Sequence, residues 1–340
     1  MERLIGKTLE ELKTLVSDLG LPSFTAKQIA DWLYKKRIVD IEQMTNISNK
    51  NRELIKNAYS VGRYEPAMFV ESKDGTKKYL FETKNGNIET VYIPENDRAT
   101  LCVSCQVGCK MNCSFCATGK MGFHGNLDAG EIINQILSIP ESEKLTNIVY
   151  MGMGEPMDNL DNVLKSIDVL TSSYGLAWSP KRITVSTVGI IPKMALFLNK
   201  TQCHIAISMH NPISAERQNI MPAEKAFPIK DVINELKKYD FSHQRRVSFE
   251  YTLIKGVNDS AKHAAQIVRM LKGIECRVNI IRYHKSANSE YQSTSKEDSE
   301  RFRDYLNNNN ITATIRRSRG EDIEAACGLL STKERKNENF

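Results

Sequence analysis

Five of the chain's eight cysteines fall within fifteen residues, in the run Cys102-Val-Ser-Cys105-Gln-Val-Gly-Cys109-Lys-Met-Asn-Cys113-Ser-Phe-Cys116. Thiols packed this closely cannot all serve as small core hydrophobes, so the loop must hold a metal or run thiol redox chemistry. Two ligand sets can be drawn from it. One joins the CxxC pair Cys102 and Cys105 to the CxxC pair Cys113 and Cys116, a zinc-like pairing whose intervening loop is short for that metal. The other, CxxxCxxC, takes only Cys109, Cys113 and Cys116. Three thiolates on one loop, with Phe115 before the last, can ligate three irons of a cubane cluster and leave the fourth without a protein ligand. An open iron can chelate the amino and carboxylate groups of S-adenosylmethionine and pass an electron to its sulfonium.

Thiols stay available for such work in a reducing compartment. The start, Met-Glu-Arg-Leu-Ile-Gly-Lys, lacks the basic-then-apolar pattern of a signal peptide, and no apolar run approaches the roughly 18 residues of a membrane span. A cytoplasmic protein without a membrane segment is therefore expected. The 340 residues suggest roughly two domains, and a net charge of +6 is compatible with a polyanionic partner without demanding one.

Residues 1–62 read as a small helical domain with basic helix ends. Thr8-Leu-Glu-Glu11 is a capping box opening an apolar-faced helix that Gly20 stops. A second helix runs from near Thr25 through Trp32 to Lys35-Lys36-Arg37, and a third from Ser48 to Ala58. The basic ends suit backbone phosphates or simply the negative ends of helix dipoles. From residue 63 to 97 the period changes to two. Alternating stretches Met68–Ser72, Lys78–Phe81 and Ile88–Ile93 are joined at Asp74-Gly75 and Asn85-Gly86, which makes a β-meander.

Residues 98–330 alternate strands with helices. Strand-like runs are Ala99–Val103, Asn147–Met151, Arg182–Ser186, His204–Ser208, Val247–Leu253, Arg277–Ile281 and Thr312–Ile315. Repeated βα units predict an α/β fold, a partial (βα) TIM-type barrel with its chemistry at the C-terminal strand ends. The conspicuous residues fall there. The cysteine loop follows the first strand, and Gly152-Met-Gly154-Glu155-Pro follows the second, where Glu155 can pair with a ligand ammonium. Ser186 ends the third strand, Ser208-Met209-His210 follows the fourth, and His284 lies beyond the sixth. Arg316-Arg-Ser-Arg319-Gly follows the seventh and leads to Cys327. The polar stretch 331–340 is expected to fray.

The cysteine loop resembles the signature of radical S-adenosylmethionine (radical SAM) enzymes. With Glu89-Thr-Val-Tyr-Ile-Pro, Gly152-Met-Gly-Glu-Pro, Ser186-Thr-Val-Gly-Ile and Arg319-Gly-Glu-Asp-Ile-Glu-Ala-Ala-Cys-Gly, nearly the whole chain resembles the RlmN/Cfr family. Its members methylate an adenine of 23S ribosomal RNA in the peptidyl-transferase centre and, in some, an anticodon-loop adenine of tRNA. The C-terminal run resembles the C2-directed housekeeping branch rather than the C8-directed resistance branch. The resemblance implies a [4Fe–4S] cluster on Cys109, Cys113 and Cys116, and two S-adenosylmethionines per turnover, one methyl donor and one radical source. It implies a methylated Cys327, Glu89 as acceptor of the C2 proton, and Cys102 closing a transient Cys102–Cys327 disulfide. Cofactor contacts map to Gly154, Glu155, Ser186, Ser208, Met209 and His210, and His284 stands where the family has an asparagine. Cys105 stands where relatives commonly have serine, and a spectator role is expected of it. The implied partners are 23S rRNA, tRNA and an electron donor such as flavodoxin, and the implied state is a monomer. The RNA footprint is expected at Arg245-Arg246, Arg316-Arg317, Arg319 and the helical domain. A zinc-stabilised RNA-binding protein is the reading from a different class.

Overall fold

The structure is a computed structural model and describes residues 1–241, 245–285 and 290–331, so the polar stretch beyond Ser331 lies outside the described residues. Ten strands form its main sheet: β1 (Met68–Glu71), β2 (Lys77–Thr83), β3 (Gly86–Pro94), β4 (Ala99–Cys102), β5 (Asn147–Tyr150), β6 (Ile183–Thr187), β7 (His204–Ser208), β8 (Val247–Leu253), β9 (Cys276–Arg282) and β10 (Thr312–Ile315). They lie side by side in chain order, β1 and β10 at the edges. From β4 to β10 every neighbouring pair is parallel, whereas β1 to β4 pair antiparallel.

Parallel pairing requires a crossover at each step, and helices such as Ala129–Leu137, Leu160–Thr171, Ile191–Lys200, Ile229–Leu236, Ala261–Leu271 and Lys296–Asn308 supply it. The helices cover the outer face and the curl of the sheet encloses the inner one, which is why β7 reads as His-Ile-Ala-Ile-Ser with Ile205, Ala206 and Ile207 all buried. Alternate residues of β5 to β10 turn toward one shared cavity, so the sheet curls into a partial barrel. The meander is continuous with it: Val91 of β3 registers with Cys102 of β4, and Tyr92 with Leu101.

The helical unit opens as the sequence implies. The Thr8 hydroxyl accepts from the Glu11 amide at 3.3 Å and the Glu11 carboxylate accepts from the Thr8 amide at 2.9 Å. The helix from Thr25 changes after Ala30 to a wider π turn over Asp31–Lys35. A close backbone approach fixes this unit to the barrel: a Cβ on Gly6 would stand 2.1 Å from the Gly130 nitrogen, at the start of helix Ala129–Leu137. Arg3 adds an ion pair to Asp128 at 2.5 Å.

Candidate active site

The cysteine loop is pinned at the mouth by backbone bonds to distant segments. Its Cys109–Cys116 part lies in the connection between two antiparallel strands, Gln106–Gly108 and Phe123–Asn126, a pairing unread in the sequence. The Cys109 amide donates to Gly122 at 2.8 Å, Ser114 to Ile220 at 2.9 Å, and Ala117 to Gly328 at 2.8 Å. The last of these ties the loop to the residue after Cys327. Cys109, Cys113, Cys116 and Cys327 all line one cavity of about 150 Å³, together with Gly154, Glu155, Ser186, Ser208 and His210.

The three loop thiols fit an iron–sulfur cluster by the chemistry of their surroundings. Cys113 packs with Val188, Ile220 and Met221, and Met111 and Phe115 close the shell. Burial pushes the Cys109 thiol up to about 12 and raises those of Cys113 and Cys116. Such thiols ionise when a bound cation compensates the charge. Among the described residues no three or more His, Cys, Asp or Glu side chains stand close enough to share one metal ion. Ligands that each take a different iron stand farther apart than ligands of one ion. The zinc pairing is not gathered: Cys102 and Cys105 belong to the main core, and Cys113 to the separate cluster at the mouth.

Glu155 anchors the floor. Its carboxylate accepts from the amides of Val188 at 2.9 Å and Met157 at 3.0 Å. Burial nevertheless lifts its pKa to about 7, against those bonds. The Gly152–Glu155 loop can lie this close because its glycines carry no Cβ, which at Gly154 (φ +102°) would stand 2.6 Å from the Gln106 side chain. The Gln106 Oε1 in turn accepts from the Glu155 amide at 2.8 Å.

His210 closes the cavity from the far side with a left-handed backbone, φ +51°. Its Nδ1 accepts from the Thr252 amide at 2.9 Å, so the ring proton sits on Nε2. Burial, then Arg217, pulls its pKa down to about 3, leaving a neutral ring packed edge-on against Phe115 at 4.8 Å. Arg217 was missed in the sequence. Fully buried, it donates to the carbonyls of Met209 (2.8 Å), Ser208 (2.8 Å) and Val188 (3.2 Å) and pairs with Glu224. It holds together the backbone of the two turns, after β6 and after β7, that shape the floor.

Of the other expected residues Arg316 also lines this cavity, and the rest are placed around it. Cys102 is buried beside it, with its thiol pushed up to about 12, first by burial, then by Cys327, while Arg316 opposes. Arg316 lies close enough to Cys327 for that thiol to be the largest influence on its guanidinium. The Glu89 carboxylate accepts from Lys78 at 2.9 Å and from the Ser331 amide at 3.0 Å, and does not line the cavity. Met209 points into the core. His284 lines an adjoining cavity, its Nε2 within 2.8 Å of the Ser318 hydroxyl. Arg245 turns inward to the Thr201 carbonyl, while Arg246 faces the barrel lumen.

Comparison with known proteins agrees with this architecture along the whole chain. The family model described as the radical SAM superfamily matches residues 103–268, and that of the ribosomal RNA large subunit methyltransferase N-terminal domain matches 3–61. The probable dual-specificity RNA methyltransferase RlmN of Phocaeicola vulgatus is 58% identical, over 98% of this chain and 96% of its own. The chain belongs to the RlmN family of radical SAM methyltransferases. The RlmN of Bacteroides thetaiotaomicron, named in the same way, is 54% identical over 99% and 98% of the two chains. A solved radical SAM methyltransferase from Sphaerobacter thermophilus superposes with a TM-score of 0.91 at 38% identity, covering 97% of this chain and 99% of that one. RlmN-family membership makes the chain an RNA methyltransferase using S-adenosylmethionine and an iron–sulfur cluster. Among the described residues no helix is long and apolar enough to cross a membrane.

Proposed function

We propose that this enzyme methylates C2 of an adenine in 23S rRNA, and of an anticodon-loop adenine in tRNA, by way of a methyl group carried on Cys327. The observation that carries this reading is that Cys327 shares one cavity with Cys109, Cys113, Cys116 and Glu155, while Cys102 lies within electrostatic reach behind it. Adenine C2 carries no acidic proton and cannot attack a sulfonium methyl by displacement. When bound on Cys109, Cys113 and Cys116, the cluster with S-adenosylmethionine supplies one-electron chemistry able to take a hydrogen atom from a methyl group. Two S-adenosylmethionines are used per turnover, one of them to methylate Cys327.

The chain's own groups do the rest. Cys327 presents the carbon that bonds to C2. Glu89 takes the C2 proton once Ser331 releases its oxygen. Once the adduct has given up its unpaired electron, the Cys102 thiolate attacks the Cys327 sulfur; the carbon–sulfur bond breaks, the departing methylene takes a proton to become the methyl group of the base, and a disulfide is left for cellular thiols to reduce. Arg316, near both sulfurs, favours the thiolate of Cys102. Gly154, Glu155, Ser186, Ser208 and His210 form the cofactor wall, with Glu155 facing the amino group. A flavodoxin-like donor supplies electrons, and the working form is a monomer.

The test uses anaerobically reconstituted enzyme with S-adenosylmethionine, reductant, and unmodified 23S rRNA fragment or tRNA, followed by nucleoside mass spectrometry. 2-Methyladenosine that disappears in Cys327→Ala is expected; the 8-methyl isomer overturns the C2 assignment. Cys102→Ala should trap RNA covalently on Cys327, and free product at normal turnover would remove Cys102 from its role.

A further inference from the structure

We propose that the open side of the barrel is a phosphate-binding track for the RNA strand flanking the target adenine, with the lumen taking one of its nucleotides. This deepens the methyltransferase reading and rests on it. The lumen is a cavity of about 520 Å³, in the range that takes a small molecule. Among the described residues Glu250 is the one carboxylate that lines it. Against it stand Arg98, Lys181, Arg246 and Arg277, none with a carboxylate partner among the described residues.

These cations converge. Arg246 and Lys181 both act on the His204 ring, whose pKa burial and these charges lower to about 4. The His204 Nδ1 accepts from the Arg246 amide at 2.9 Å, so a neutral N–H donor sits on Nε2 in the cavity wall. Facing cations repel one another in the free protein, a cost that an anion removes. Guanidinium forks and hydroxyl or amide neighbours such as Thr184, Ser248 and Asn147 suit phosphate oxygens.

Continuity with the active site argues for a strand over a free nucleotide. A second cavity, of about 240 Å³, runs along the gap between the β3–β4 turn and the segment after β10. It is lined by Glu95 and Arg98 on one side, and by Arg317, Arg319 and Cys327 on the other. Arg98 and Arg316 line both cavities. Arg98, Arg316, Arg317 and Arg319 therefore lead from the lumen to the sulfur that meets the base, outnumbering the one carboxylate of the second cavity's described lining, Glu95, and a nucleic-acid strand brings one charge per step.

The test measures RNA affinity of the reconstituted full-length enzyme by fluorescence anisotropy over a salt series, with a 23S rRNA fragment and a tRNA. The variant K181Q/R246Q/R277Q is compared with K230Q/K237Q/R269Q on the outer helices. In the lumen variant the slope of log affinity against log salt should fall by about 2, at roughly 0.7 per lost single-strand phosphate contact. Affinity near physiological salt should drop on the order of tenfold. Methylation of Cys327 without RNA, read by intact-protein mass, should be unchanged. Equal slopes and affinities in both variants overturn the track. Pyrophosphate is titrated into both variants by calorimetry, and its loss from the lumen variant with an unchanged RNA slope assigns the lumen to a free phosphate ligand and overturns the track equally. R246K/R277K keeps the charges and should keep the wild-type slope; a loss matching the neutral variant would make the effect one of packing. A fallen slope in an enzyme that makes no methyladenosine leaves the track standing and ends the methylation reading.

Discussion

Arg217 and Arg277 stand at opposite ends of one barrel and have opposite surroundings. Arg217, under the mouth, spends its donors on three backbone carbonyls and the Glu224 carboxylate. Arg277, at the start of β9, lines the lumen with no carboxylate partner among the described residues. A charge buried with every partner in place supports the fold, and removing a partner exposes its cost. A charge left open in a cavity stabilises nothing until a ligand arrives. The same contrast separates Cys105, packed in the main core, from Cys109, Cys113 and Cys116, which line the active cavity.

Breaking the Arg217–Glu224 pair gives the largest effect on stability. Either Arg217→Met or Glu224→Gln should cost about 3–5 kcal/mol, because the remaining group stays buried without its partner. Replacing both with apolar residues should recover much of that loss. Chemical denaturation of the three variants decides the matter; single variants within about 1 kcal/mol of wild type would put Arg217 in the same class as Arg277.

Glu155 lies between these extremes: its carboxylate is partnered by two amides, yet burial raises its pKa to about 7. A carboxyl whose folded pKa is raised stabilises the ligand-free protein fully below its ordinary range, and that contribution is lost as pH rises through about 7. The N–H donors of a ligand amino group prefer the ionised form. Affinity for S-adenosylmethionine should therefore weaken as pH falls below about 7, by up to about tenfold per unit. Glu155→Gln should bind more weakly and lose that slope. Calorimetric titration from pH 7.5 to 5.5 (on the order of two units) reads it, and a flat wild-type profile would separate Glu155 from the amino group.

What the sequence made legible follows the same division. The cysteine loop and the residues at the ends of β5, β6 and β7 were readable because their chemistry is local: spacing within one loop, or the first residues after a strand. The strands were readable because β-branched runs bounded by polar residues recur with helices between them. Arg217 was not. In Ser-Ala-Glu-Arg-Gln-Asn-Ile it reads as an exposed helix cation, and its importance comes from Val188 and Ser208, which only the fold brings near. Glu89 shows the same limit, since the amide that holds it belongs to Ser331, 242 residues away. The lumen cations start separate strands and look singly like solvated ends.

The smallest effect sharpens the contrast among the cysteines. Cys105 is 2% exposed within the main core, its thiol raised well above the usual range, first by burial and then by Glu155. Its backbone carries the local structure: its amide donates to Met153 at 2.9 Å, and its carbonyl accepts from Leu127 at 3.0 Å and from Asn159 at 2.8 Å. Cys105→Ser leaves all three bonds in place and changes only a buried sulfur to a hydroxyl. A hydroxyl without a partner there costs about 1–3 kcal/mol, so the variant should melt somewhat lower while methylating RNA at close to the wild-type rate. Single-turnover methylation beside a thermal melt reads both. A collapse of methylation with an unchanged melt would mean that Cys105 exchanges with Cys102 for the Cys327 sulfur. Burial in the core would then no longer mark a cysteine as a spectator.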